Sequence, residues 1–157
     1  MRMRTYHIAV CCVVLAAGCT QPAGPGLGGG SDPGRFTHSA VRKSVAPWDG
    51  EAIRLFLAEA PLDERKTGPH VEIFVYLPAS SLSNQQVRLE GKETRKKGAA
   101  LWVEGDKRTE LAWAEIAFEA VRDGEPVVGK YKVALPDGKQ AQGRFQAKWW
   151  ASEGPGG

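Results

Sequence analysis

Few side chains in this chain could carry out chemistry. Outside the N-terminal apolar segment the only imidazoles are His38 and His70, and hydrolysis needs a nucleophile, a base and an orienting group held together. His70 and Glu72 stand two apart and would share one face of an extended strand, as the start of an acid/base pair or a metal site. No third ligand is marked by spacing, and no Gly-x-Ser-x-Gly occurs. The plainer reading is a strand-start histidine beside a solvated glutamate. The sequence therefore indicates no catalytic residue, no metal and no cofactor, and a small hydrolase or metal protein around His70 ranks third among the readings.

Binding offers more. Five tryptophans in a small chain suggest flat aromatic faces for sugar rings or protein partners. Strand alternation turns Trp149 inward and Trp150 outward, and it places Trp102 opposite the Leu101 face. Trp150 and Trp102 are the candidate binding residues. Trp48 falls at the edge of the expected domain. The basic residues Lys92, Arg95, Lys96, Lys97, Lys107 and Arg108 are interleaved with Glu90, Glu93, Glu104 and Asp106, which reads as a solvated hairpin rather than an anion-binding edge.

The N-terminus is more specific. Arg2 and Arg4 precede an apolar run from Ile8 to Ala17, and then come Gly18 and Cys19. A basic start, a short apolar core and small residues make a secretion signal, and the run is about half the ~20 residues a membrane span requires. The segment Leu15-Ala16-Ala17-Gly18-Cys19 resembles the lipobox of bacterial lipoproteins. That resemblance implies cleavage before Cys19, lipid on its sulfur and a membrane as partner. With Thr20 rather than Asp after the cysteine, it also implies the outer membrane, at the periplasmic or surface face. Cys11 and Cys12 would leave with the signal, so the mature domain would hold neither a free thiol nor a disulfide. Removing Arg2 and Arg4 leaves 19 Lys and Arg against 18 Asp and Glu, a balance that does not call for nucleic acid.

The expected organisation is a signal over 1–18, then a lipidated Cys19 with a Gly/Pro-rich flexible tether over 19–45. A folded domain over 46–150 and a disordered tail over 151–157 follow. Within the domain the dominant period is two. Ile53, Leu55 and Leu57 alternate with polar or smaller neighbours; so do Val71, Ile73, Val75 and Leu77, the pair Val87 and Leu89, and Tyr131, Val133 and Leu135. Phe145, Ala147 and Trp149 close the series. Residues 110–122 also fit one helical face, yet Ala114, Ile116, Phe118 and Ala120 alternate, and Asp123-Gly124 turns toward a clear strand, so the segment is read as a strand. Asp137-Gly138 marks the last hairpin.

About seven short strands point to an all-β fold, a single antiparallel β-sandwich. Asp123-Gly124-Glu125-Pro126-Val127-Val128-Gly129 resembles the hairpins of immunoglobulin-like and transthyretin-like envelope modules. No Cys-Trp-Cys framework is present, which sets the antibody-type core aside. These readings together give a lipid-anchored monomer displaying a non-enzymatic binding or structural module, with an envelope protein or a glycan as partner. A glycan-binding module using exposed tryptophan is the alternative.

Overall fold

The computed structural model describes residues 31–63, 68–91 and 95–151. Cys19 with its lipobox, the tether residues up to 30 and residues 152–157 of the tail lie outside them. Ten strands follow in order: β1 (Ser31–Pro33), β2 (His38–Val45), β3 (Glu51–Ala58), β4 (His70–Val75), β5 (Gln86–Glu90), β6 (Gly98–Glu104), β7 (Lys107–Glu110), β8 (Trp113–Ala120), β9 (Val127–Ala134) and β10 (Gln140–Trp149). A 3-10 turn, Ala79–Ser81, lies between β4 and β5. The fold is all-β, and residues 113–120 are a strand, as the alternation indicated.

The strands join in one sheet in the order β5-β8-β9-β10-β2-β3-β4-β6-β7, with β1 added to β10. Two of the pairings are parallel, β1 with β10 and β10 with β2. The sheet is therefore mixed, which corrects the antiparallel-only expectation. It curls into a half-barrel around one apolar core. Val41, Ile53, Leu55, Leu57, Val71, Ile73 and Val75 from one half meet Ile116, Phe118, Tyr131, Val133 and Phe145 from the other. The edges of the curl approach where Leu89 of β5 lies against Gly98 of β6. A Cβ on Gly98 would stand 3.0 Å from Leu89 and 2.1 Å from the Phe74 carbonyl, so the close approach needs a residue without one.

The domain also begins earlier than expected. Residues 38–45, assigned to the tether, form a central strand paired with β3 from His38↔Ala58 to Val45↔Glu51 and with β10 on its other side. Their sequence, His-Ser-Ala-Val-Arg-Lys-Ser-Val, shows little apolar alternation, because only Val41 reaches deep into the core while Ala40 and Arg42 are buried on the opposite face. Phe36, just before the strand, is also buried; its backbone N–H donates to the Tyr131 hydroxyl at 3.0 Å.

β1 and β2 are two pieces of one extended path along β10. Ser31–Pro33 pair with Gln140–Gln142, and Ala40 and Val41 pair with Lys148 and Trp149. Between these pairings six residues, 34–39, face five, 143–147. The extra residue breaks the ladder as a bulge does. Along 143–147, β10 is paired with β9 alone.

The turn between β9 and β10 follows its sequence. Gly138 takes φ 82°, and the Asp137 carboxylate accepts a bond from the Lys139 N–H at 3.0 Å, as an Asp-Gly hairpin requires.

Candidate functional site

Two groups of side chains stand out, one on the face of β3 and β4 turned away from the core and one at the seam between β2 and β10. The first is a buried charge cluster. Register places Glu72 opposite Phe56, His70 opposite Ala58, and Arg54 between Arg42 and Phe74. Arg54 Nη2 donates to Glu72 Oε2 at 2.5 Å, and Glu72 Oε1 lies 3.1 Å from His70 Nε2. The other ring nitrogen, Nδ1, is 2.8 Å from the Gly68 carbonyl. A carbonyl only accepts, so Nδ1 carries a hydrogen; for the second contact to be a hydrogen bond, Nε2 must donate to the ionised carboxylate.

Burial by itself would raise the Glu72 carboxyl. Hydrogen bonds from His70 and Arg54, with the Arg54 charge, outweigh it and hold the group at about 2 instead of 4.5. His70 is fully buried and Glu72 is 1% exposed, which corrects the reading of a solvated glutamate. Leu101 and Val103 of β6 stand across from Glu72 and His70, and the Phe56 ring lies 6.1 Å from the imidazole. Both imidazole nitrogens and both carboxylate oxygens are occupied by protein partners, and the third neighbour is a guanidinium. The cluster is built as a structural tie between β3 and β4.

The second group is a cleft of about 440 Å³ in the broken seam between β2 and β10. His38, Ser39 and Ala40 line one side, Arg144, Gln146 and Lys148 the other. Pro61, Leu62, Phe36, Thr37, Phe145 and Trp150 complete the lining. Trp150 is held by its neighbours: its ring centroid is 4.8 Å from that of Phe56, the Arg42 guanidinium carbon lies 5.6 Å from its centroid, and its backbone N–H donates to the Val41 carbonyl at 2.8 Å. Arg144 reaches Glu119 at 2.6 Å. Lys148 is exposed and has no ion pair among the described residues.

Of the two tryptophans singled out from the sequence, Trp150 therefore lines a cleft and Trp102 does not. Trp102 stands opposite Val71, on the core-facing side of β6, and packs against the core. The Arg35 guanidinium carbon, 5.8 Å from its centroid, covers it and is itself paired with Glu59. The two rings lie on opposite faces of the sheet. Trp149 packs against the core as alternation indicated, and its indole N–H reaches the carbonyls of Arg122 and Glu125 at 3.1 and 2.8 Å. The most exposed indole is Trp48, 53% exposed, edge-on to Tyr76 at 5.1 Å. In the basic cluster Arg95 pairs with Glu110 at 3.3 Å; Lys92 is outside the described residues.

Sequence reasoning missed His38, Arg144 and Lys148 as neighbours of Trp150. Alternation did mark Arg144 and Lys148 as one face of the last strand. Nothing local brings His38 beside them, because the parallel pairing of β2 with β10 joins segments more than a hundred residues apart. Comparison with protein-family models, with curated proteins and with solved structures finds no match to the chain.

Proposed function

We propose that this chain is a lipid-anchored protein of a bacterial envelope, whose β domain works as a non-enzymatic binding module. The observation that carries the anchor is Leu15-Ala16-Ala17-Gly18-Cys19 at the end of a short apolar run, followed by Gly28-Gly29-Gly30 and then by the first strand at Ser31. The path from Cys19 to Ser31 is short, about 40 Å at full extension, so the domain stays close to its membrane. With Thr20 after the cysteine, the outer membrane is the expected destination.

For the domain, what supports binding over catalysis is the state of its best acid/base candidates. His70 and Glu72 spend their hydrogen bonds on each other, on Gly68 and on Arg54. The open, polar cleft lies instead beside Trp150. We read the two halves of the curled sheet as the layers of a sandwich joined through β10, with the cleft at the joint. Cys19→Ser tests the anchor: the variant should keep its signal and wash from membranes in buffer, whereas the wild type should need detergent. Equal release of the two would refute the assignment.

A further inference from the structure

The lining of the cleft has a chemical bias. It presents Lys148, Arg144 and His38 as cationic or hydrogen-bonding groups, Ser39, Thr37 and Gln146 as neutral polar ones, and no carboxylate among the described residues. Glu119 is bound to Arg144 of the lining and to Lys130, and Glu59 to Arg35. With Arg144 shared with Glu119, Lys148, which has no ion pair among the described residues, supplies the positive charge that the lining can offer a ligand. The Trp150 ring adds a rigid aromatic wall held by Phe56 and Arg42, with Pro61 and Leu62 nearby. Its volume lies within the ~300–1,000 Å³ typical of small-ligand sites. Along 143–147 the β10 backbone is paired on one side only, so the seam adds peptide groups to these polar side chains.

A ligand that suits this lining carries an apolar face for the indole, hydroxyls for Ser39, Gln146 and the open strand edge, and a carboxylate for Lys148 and Arg144. We infer that the β2–β10 cleft binds a short acidic saccharide, a pyranose ring bearing a carboxylate. Lys148 serves as the primary anion contact, because Arg144 is shared with Glu119. Trp150 is the ring-packing wall. This inference rests on the binding reading of the domain and is independent of the lipid anchor, so fractionation and ligand binding fail separately.

The test uses the full chain as purified in detergent micelles, whatever its N-terminal processing, titrated calorimetrically with a uronic-acid trisaccharide, with the neutral trisaccharide of the same linkage, and with acetate. The acidic trisaccharide should bind at least tenfold more tightly than either of the others. Lys148→Glu changes an exposed side chain and should weaken that binding by tenfold or more without altering the melting temperature. Trp150→Ala should lower affinity for both saccharides, while Trp48→Ala, outside the cleft, should leave it unchanged. Equal affinity for the acidic and neutral sugars, acetate binding as tightly as the saccharide, undiminished binding by Lys148→Glu, or no binding of any probe would overturn the proposal.

Discussion

Replacing Glu72 with Gln keeps the size of the side chain and removes its charge, leaving the Arg54 guanidinium facing a neutral amide in a site where Glu72 is 1% exposed. Two routes give the cost. Breaking one member of a buried ion pair is worth about 3–5 kcal/mol. The lowering of the carboxyl from 4.5 to about 2 corresponds to roughly 3 kcal/mol at ~1.4 kcal/mol per unit. Arg54 retains 12% side-chain exposure, and screening there brings the expected loss to about 2–3 kcal/mol. The pH dependence has a definite sign. A carboxyl depressed in the folded state contributes its stability above the unfolded value near 4.5 and loses it as pH falls toward 2. The wild type should therefore exceed Glu72→Gln by about 2–3 kcal/mol at pH 7, and the two should converge between pH 4.5 and 2. Urea unfolding followed by tryptophan fluorescence at pH 7, 5, 4 and 3 measures that difference, and comparing the two proteins at each pH cancels the other carboxylates. A gap below 0.5 kcal/mol at pH 7, or one that stays constant down to pH 3, would refute the triad as a stabilising tie.

Further outcomes concern the core and the boundary. Phe118→Ala, which empties a fully enclosed ring site packed on Phe145, should cost about 3–5 kcal/mol, read from the same unfolding curves. Gly98→Ala should cost about 1–3 kcal/mol, because the new methyl would meet the Phe74 carbonyl. A chain starting at Ser31 should unfold cooperatively with a β-type circular dichroism spectrum, whereas one starting at Ala46 loses the strand between β10 and β3 and should not fold; a native-like spectrum from the shorter chain would contradict the topology.

Seven of the ten strands were legible because each puts a row of apolar side chains on one face at a period of two. Ile73, Val75, Val133 and Phe145, read as inward, are buried. The other three strands lacked that signal for separate reasons. β2 buries Ala40 and Arg42 on one side and chiefly Val41 on the other, so its alternation is flat. β1 has three residues. β7, Lys107–Glu110, is a charged edge strand, a composition that discourages further pairing. The parallel seam depends on contacts between distant segments, which no local period encodes. In β6 the face was misread because Val103 is buried against His70 on the outer side, which makes Leu101 and Val103 look like the core row and turns Trp102 out. The same cluster explains Glu72: a carboxylate between a histidine and an arginine eighteen residues away can be buried, and only register shows that Arg54 is there.

The claim that matters most is that this domain is held to a membrane by lipid on Cys19. Mass spectrometry of the N-terminal peptide from the detergent-extracted protein measures it directly. The account predicts a mature chain beginning at Cys19, heavier than its unmodified sequence by a diacylglyceryl group, with or without a further acyl chain. An N-terminus at any other residue, or an unmodified Cys19, would contradict it.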